Sequence, residues 1–349
     1  MNDLQGLRVV VAGAGAVGSV TALSLIRRGV RVVLADPGSP GDNASGVAAG
    51  MLAPVFEALL DPLCADHYLI LKAARDAWTP LLQAEPGLPP LDLAGALLQV
   101  SEPDVGEALL ARASALGALL EAIGAADARA RAPGLAGQGT FLFTPDDWRL
   151  DPRAMLAALH AAFEAAGGLR LAASASRWRD GWVLFEDAEP LAADALVLAT
   201  GAAGGGLTPI KGQILRFDGF GPATGPVVRG EGVYAAPSGQ GMIVGATMEE
   251  GRLDRAIDPQ AVARLRAGAA RLYPGLGEVA ASASAGVRAA TADGLPLVGP
   301  TDDTGVFAAR GARRNGWLLA PLMAEVIAER LAGAPLSAAA SAFDPARFG

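Results

Sequence analysis

Arg8-Val-Val-Val-Ala-Gly13-Ala-Gly15-Ala-Val-Gly18 is the stretch that decides the fold of this chain. Val9, Val10 and Val11 are β-branched and stand in an unbroken apolar run, the pattern of a parallel strand buried on both faces. Three glycines follow at the spacing of a dinucleotide-binding turn. Gly13 permits the tight turn, Gly15 lets the backbone approach a pyrophosphate, and Gly18 lets the next helix pack closely on the strand. The N–H groups opening that helix would face the phosphates. Thr21 to Arg28 keep a helical pattern that stops at Gly29, and Val30 to Ala35 read as a second buried strand ending in Asp36. That carboxylate is placed to accept from a ribose hydroxyl. A lone G-x-G-x-x-G is a weak signal, but strand, helix, strand and acid in register make a specific one.

With 349 residues the chain exceeds one typical domain, so two domains are expected. Apolar residues make up 52%, yet no run of 18 or more uncharged apolar residues occurs, which argues against a membrane span. Met1-Asn-Asp leads straight into the first strand without a basic region and cleavable apolar segment, so a cytoplasmic protein without an export signal is expected. A net charge of -8 argues against nucleic acid as a partner. Cys64 is the single cysteine, which excludes internal disulfides and thiolate metal clusters. The two histidines, His67 and His160, sit in helix-like stretches and read as structural, so no metal site is expected. There is no G-x-S-x-G elbow for a serine nucleophile.

After Asp36 the chain turns rich in Gly and Pro through Ser45 and Gly50 to Pro54, which suits a backbone laid along an extended cofactor. Asp66 to Leu82 reads as one amphipathic helix, and Glu85-Pro-Gly-Leu-Pro-Pro90 as a domain crossing. Leu91 to Val100 reads as a strand pair and Glu107 to Ile123 as a helix. Asp151 and Pro152 supply an N-cap and first helical position for a helix that ends at Gly167-Gly168. Leu169 to Trp178 and Trp182 to Glu186 read as strands joined at Arg179-Asp180-Gly181. Ala195 to Thr200 is another buried strand, returning to the first domain. Strands at Lys211 to Arg216, Gly232 to Pro237 and Gly241 to Thr247, with a helix from Pro259 to Tyr273, indicate an antiparallel sheet under a covering helix. Val306 to Ala309 is a last strand, Gly311 to Gly316 a turn, and Trp317 to Leu331 a long helix. The fold class is α/β: a Rossmann-like, parallel-sheet domain from residues 1–78, 140–211 and 286–349, with a substrate domain on an antiparallel sheet from 79–139 and 212–285.

Taken in order, these pieces resemble one family. Gly13-Ala-Gly15-Ala-Val-Gly18, Asp36, Ser45-Gly-Val-Ala-Ala-Gly-Met-Leu, Pro209-Ile-Lys-Gly-Gln, Tyr234, Gly245-Ala-Thr, Gly286-Val-Arg288, Asp293-Gly-Leu-Pro and Arg314-Asn-Gly-Trp-Leu-Leu-Ala-Pro321 look like the FAD-dependent D-amino-acid oxidase family. Within it they are most similar to the glycine oxidases of thiamine (thiazole) synthesis. The resemblance implies FAD, with Gly13, Gly15, Ala16, Val17, Gly18, Asp36 and Pro37 around its ADP half. Ala44, Ser45, Ala49, Gly50 and Met51 would lie along the pyrophosphate and flavin, and Ser174 would offer an adenine-side backbone contact. Ala312, Arg313, Arg314, Asn315, Gly316, Trp317 and Leu318 would sit by the isoalloxazine ring. A turn opening a helix there aims positive dipole at what lies before it.

The same resemblance carries over Arg288 as clamp of an amino acid carboxylate, Tyr234 as a second donor to it, and Arg314 as a site residue. A planar guanidinium suits a carboxylate because it binds in two places. Removal of the Cα hydrogen as hydride to flavin needs orientation and charge stabilisation more than a side-chain base. The expected activity is oxidative deamination of glycine or a small D-amino acid to a 2-oxo acid and ammonia, with oxygen giving peroxide. One alternative is a dehydrogenase that passes electrons to another carrier; another is a nicotinamide-binding or regulatory protein without flavin chemistry. Oligomeric state is left open, a homo-oligomer included. The sequence departs from the family at Ala312 and Arg313, where glycine oxidases commonly carry His and an aromatic residue, and at Arg310, which reads as inserted.

Overall fold

The structure, a computed structural model, describes residues 4–203, 206–222, 224–239 and 241–348. Met1 to Asp3, on which the expectation of no export signal partly rests, lie outside the described residues. Two large sheets organise the chain. The first has six strands in the order Leu297–Pro300, Val306–Arg310, Ala195–Leu198, Arg8–Ala12, Arg31–Ala35, Leu169–Leu171. Arg8–Ala12 lies near its centre, parallel to neighbours on both sides, with Val9 opposite both Ala195 and Val32. Only the Leu297–Pro300 and Val306–Arg310 pair runs antiparallel.

Because side chains alternate along a strand, the apolar run of Arg8–Ala12 serves two layers. Val9 and Val11 join the core made by Leu23, Leu25 and Val20 of the helix Ala16–Arg27 and by Leu319, Met323 and Ile327 of the helix Gly316–Leu331. Val10 and Ala12 face the other way, against Val183 and Phe185. Those two residues belong to a small antiparallel sheet of Ala175–Arg179, Trp182–Phe185 and Leu191–Ala192. The single strand expected from Leu169 to Trp178 is therefore two. Leu169–Leu171 extends the parallel sheet, and Ala175–Arg179 turns away to cover it. The expected turn at Asp180-Gly181 is present, with both residues at positive φ.

The second sheet has nine strands among the described residues. Thr208–Asp218 is its spine, pairing antiparallel with Gly241–Gly245 and with Ser282–Ala290. One face takes Leu265, Ala269 and Leu272 of the helix Pro259–Leu272 against Leu215, Phe217 and Val244. The other takes Val55, Phe56 and Leu59 of the helix Pro54–Leu60 against Ile214, Ala236 and Ile243. The sheet is antiparallel except where Ala96–Val100 runs parallel to Val227–Gly230. Thr140–Thr144, Thr208 to Lys211 and Gly286 to Ala290 pair within this sheet, although the sequence reading assigns them to the parallel-sheet domain.

Three expected elements differ. Leu91 to Val100 gives one strand, Ala96–Val100, and an isolated bridge from Asp92 to Arg149 instead of a strand pair. The helix placed at Glu107 to Ile123 is Pro103–Leu116, ended by Gly117 at φ 68, a left-handed cap open to glycine. Glu121–Gly124 is then a strand beside Thr140–Thr144. The helix placed at Asp66 to Leu82 divides into Tyr68–Asp76 and Trp78–Ala84. Pro80 lacks the N–H that would bond back to the Asp76 carbonyl in a continuous helix, which accounts for the break. No helix among the described residues is long and apolar enough to cross a membrane.

Candidate functional site

The glycine turn divides its labour. A Cβ at Gly18 would overlap the Gly13 carbonyl oxygen, so Gly18 packs helix on strand and lines neither of the cavities described below. Gly13 has φ 104 and no room for a Cβ beside the Ala199 carbonyl. Gly15 is different, with an ordinary φ of -76 and a Cβ position 3.0 Å from Ser45 Oγ. Its bare backbone opens on a cleft of about 360 Å³.

That cleft is lined by Gly13, Gly15, Ala16 and Val17 from the turn, by Asp36 and Pro37, by Ala44 and Ser45, and by Ser174. Its far end is formed by Ala312, Arg313, Arg314, Gly316 and Trp317. Ser45 fastens the two helices that open onto it: its Oγ accepts from the Ala16 N–H at 2.9 Å, and its carbonyl accepts from Trp317 Nε1 at 3.0 Å. The N-termini of Ala16–Arg27 and Gly316–Leu331 thus converge on one cavity, a setting that favours anionic groups. Asp36 accepts from the amides of Ala14 at 2.7 Å and Gly38 at 2.8 Å, and its oxygens retain further lone pairs. His160 bonds Ser19 Oγ at 3.0 Å and the Ala14 carbonyl at 3.3 Å, and burial lowers its pKa, so it supports the turn as a neutral ring. An open glycine cradle, the N-terminus of Ala16–Arg27 and a carboxylate at the end of the second strand are a set that the ADP half of FAD would fit, while the N-terminus of Gly316–Leu331 opens on the far end of the cleft.

A second cavity, also of about 360 Å³, adjoins the first and shares Ala48, Arg288, Arg314 and Trp317 with it. Ala49, Gly50, Met51 and Asn315 line this one. Leu318 is fully buried and lines neither. Tyr234 and Arg288 come from strands separated in the sheet by Gly241–Gly245 and Thr208–Asp218. Each side chain lies over a glycine of the strand next to it, the Tyr234 hydroxyl over Gly245 and the Arg288 guanidinium over Gly212. Burial raises the Tyr234 pKa, so its hydroxyl stays a donor at neutral pH. Arg288 Nη1 donates to the Thr247 carbonyl at 3.5 Å and contacts Met248 Sδ at 3.2 Å. No carboxylate pairs with it among the described residues. Burial, joined by the charges of Arg314 and Arg313, pushes its pKa down, so an anion placed against it would relieve an uncompensated charge.

Arg314 is placed otherwise. Its Nε donates to Glu57 Oε2 at 2.5 Å, and its Nη2 lies 3.2 Å from Asp61 Oδ2. Burial opposes its charge, but Glu57 and Asp61 more than offset that and hold its pKa raised. Arg313, at φ 49, is ion-paired with Asp61. Glu57 and Asp61, 3% and 5% exposed, are the residues the sequence reading missed. Glu57 sits in a seven-residue helix buried throughout except at Leu60, its start capped from about 90 residues away, and nothing local marks it. The cap is Asp147, which accepts from the amides of Val55 at 2.8 Å and Phe56 at 3.0 Å, while burial pushes its carboxyl up to about 7. Arg229 was missed as well, and donates to the other oxygen of Glu57 at 3.3 Å. Arg310, which reads as inserted relative to the family, ends the strand Val306–Arg310 opposite Leu297.

Glu57, Asp61 and Cys64 bring three ligand-type atoms within 4.8 Å of one another. Both carboxylates are already paired with arginines, and burial, Glu57 and Asp61 together push the Cys64 thiol up to about 12. The thiolate form that reacts or binds metal is therefore suppressed at neutral pH. Native protein at pH 8 should leave Cys64 untouched by a thiol-exchange reagent over a time in which unfolded chain titrates fully. Rapid labelling of the folded protein would contradict this placement.

The sequence of this chain matches the family described as FAD dependent oxidoreductase (DAO) over residues 8–330. It is 29% identical over 349 residues to a glycine oxidase of Pseudomonas aeruginosa, covering 93% of this chain and 95% of that protein. It is 33% identical over 338 residues to a protein of Rhizobium etli named as the thiamine biosynthesis oxidoreductase ThiO, covering 93% and 96%. The structure is similar to the crystal structure of glycine oxidase from Geobacillus kaustophilus, with a TM-score of 0.83 and 26% identity over 97% of this chain and 98% of that one. A family match spanning both sheets, on a chain whose glycine cradle fits a dinucleotide, has one reading: the chain belongs to the FAD dependent oxidoreductase (DAO) family and is an FAD-dependent oxidoreductase.

Proposed function

We propose that this enzyme oxidises an amino acid at its α-amino group, in the manner of the glycine oxidases it is similar to, and serves thiamine synthesis. The observation that carries this reading is the part-buried Arg288 guanidinium without a carboxylate partner among the described residues, beside the Tyr234 hydroxyl, where the two cavities join. The residues proposed to hold FAD are those of the glycine turn, Asp36 and Pro37, the Ala44 to Met51 segment, Ser174, and the turn from Ala312 to Trp317. When bound, FAD supplies the two-electron acceptor for hydride from the substrate Cα. Arg288 would hold the substrate carboxylate in two places, and Tyr234 would donate a further hydrogen bond to it. Fixing the carboxylate at two points leaves the Cα little freedom, which is the main service such a transfer needs. Arg288, the arginine of the cavity wall that no carboxylate offsets among the described residues, disfavours an ammonium beside it and so favours the neutral amine, the form able to lose hydride. No histidine lines either cavity, and none is required. The proposed products are a 2-oxo acid and ammonia, with oxygen as acceptor and peroxide formed.

The test is anaerobic mixing of the yellow protein with glycine, sarcosine and small D-amino acids, followed by air. Bleaching by an amino acid, with rapid return of colour and peroxide release, is the expected outcome. Slow return with air but fast return with an artificial acceptor would identify a dehydrogenase. A protein that takes up flavin yet is bleached by no amino acid would overturn the proposal.

A further inference from the structure

The guanidinium of Arg288 has a thioether against it. Met248 Sδ lies 3.2 Å from Arg288 Nη1, so a carboxylate taken up by that nitrogen has Met248 as its competitor. A thioether sulfur is a weak acceptor and yields the N–H readily. Met248 stands between the strands Gly241–Gly245 and Glu249–Glu250, and the residues beside it are fastened. Thr247 Oγ1 accepts from the Gln213 amide at 2.9 Å and donates to Glu249 Oε1 at 2.7 Å. Glu249 Oε1 accepts also from Gln213 Nε2 at 2.6 Å, and the buried Lys211 Nζ lies 3.8 Å from the other carboxylate oxygen. The chain on both sides of Met248 is therefore held to the spine strand Thr208–Asp218, which keeps the sulfur beside Arg288.

The same side chain is open to solvent. Met248 is 44% exposed and lines both the second cavity and a further one of about 500 Å³. The two cavities share Gly232, Val233 and Ala246 as well, so Met248 stands where one leads into the other. Among the other described methionines, Met155, Met242 and Met323 are at most 1% exposed, and Met51 is half-buried. Cys64 is buried with its thiol held protonated, which removes it as a competing target. A small oxidant in solution, or one leaving the second cavity, thus meets Met248 before any other described sulfur.

We propose that Met248 is a peroxide-sensitive modification site whose sulfoxide caps Arg288 and weakens its hold on carboxylates. One oxygen of hydrogen peroxide bonds to the sulfur as the O–O bond breaks, and the thioether is oxidised by two electrons. The proton of the transferred oxygen passes to the departing hydroxide, which leaves as water. The sulfoxide oxygen is a strong acceptor where the thioether was a weak one, so it competes with a carboxylate for the Arg288 N–H. Reduction by two thiols restores the thioether and gives a disulfide and water. The capping rests on the reading that Arg288 holds the substrate carboxylate, and the oxidase reading supplies the peroxide from turnover.

The test adds hydrogen peroxide to the FAD-loaded enzyme without amino acid, follows each methionine by peptide mass spectrometry, and titrates acetate by the flavin absorbance. Met248 should gain its oxygen before Met51, Met155, Met242 or Met323. The Kd of acetate should then rise at least about tenfold, the size of one hydrogen bond to a charged group. Methionine sulfoxide reductase with a dithiol should restore the parent affinity. Met248→Leu has no sulfur to oxidise there, and the same treatment should leave its acetate Kd unchanged. The parent turning over an amino acid in air should acquire the same sulfoxide, and catalase should suppress it. Earlier oxidation of another of these methionines, or an acetate Kd indifferent to the Met248 sulfoxide, would overturn this inference and leave amino acid oxidation standing. Bleaching by no amino acid would overturn the proposed function, with the added-peroxide arm still deciding the fate of Met248. A parent enzyme that binds no acetate would overturn the Arg288 clamp and this inference together.

Discussion

Arg288→Lys should lower kcat/KM for amino acids by at least roughly 30-fold, and Arg288→Met by more, while FAD content stays near that of the parent. Loss of a buried, charge-assisted, two-point contact typically costs about 2–5 kcal/mol, and a lysine retains the charge without the fork. The structure sharpens the choice of this residue over Arg314. Arg314 is committed to Glu57 and Asp61, whereas Arg288 meets a carbonyl and a thioether and no carboxylate. Arg314→Ala should therefore act differently, by leaving Glu57 and Asp61 buried with fewer partners, and should lower stability together with activity. Steady-state kinetics beside flavin content and a melting curve separate the two cases. Near-normal turnover by the Arg288 variants, or equal oxidation by the parent of simple amines lacking a carboxylate, would sink the clamp.

Gly15→Val should yield folded protein without FAD. The φ of -76 suits any residue, so the backbone itself does not object. A Cβ there would stand 3.0 Å from Ser45 Oγ, and the two γ-methyl groups would enter the cleft at the opening of the Ala16–Arg27 helix. Crowding of about 1–3 kcal/mol, added to loss of the close approach to the pyrophosphate, should weaken FAD binding by at least roughly a hundredfold. The circular dichroism of the native fold should survive. Gly18→Val is the contrasting control, because its Cβ would overlap the Gly13 carbonyl and separate helix from strand, so that variant should not fold. A Gly15→Val protein that purifies fully yellow would place the cofactor elsewhere.

Local patterns carried the reading of the first sheet. The β-branched run at Val9 to Val11, the glycine spacing and Asp36 each mark a backbone requirement that only a few residue types meet. The Asp151 cap was equally plain, and its carboxylate accepts from the amides of Arg153 and Ala154. Where propensity misled, a single residue or a distant strand intervened. Gly117 stopped a helix whose alanine-rich continuation reads as helical, and Thr140–Thr144 drew Glu121–Gly124 into a sheet.

The sequence by itself determined the dinucleotide cradle and the two-sheet architecture, while Arg288 and Tyr234 entered as candidates through the family resemblance. The signals of the cradle lie within about 20 residues of one another, in a motif with fixed spacing. Only the tertiary structure decided which arginine is free. Glu57 and Asp61 meet Arg314 and Arg313 across some 250 positions of sequence, and Arg229 reaches Glu57 from another sheet strand. A charge in sequence carries no mark of its partner. The pairing of Glu57 and Asp61 with Arg229, Arg313 and Arg314 follows from packing the Pro54–Leu60 helix between the sheet and the Gly311 to Gly316 turn, and that packing leaves Arg288 without a carboxylate partner at the junction of the two cavities.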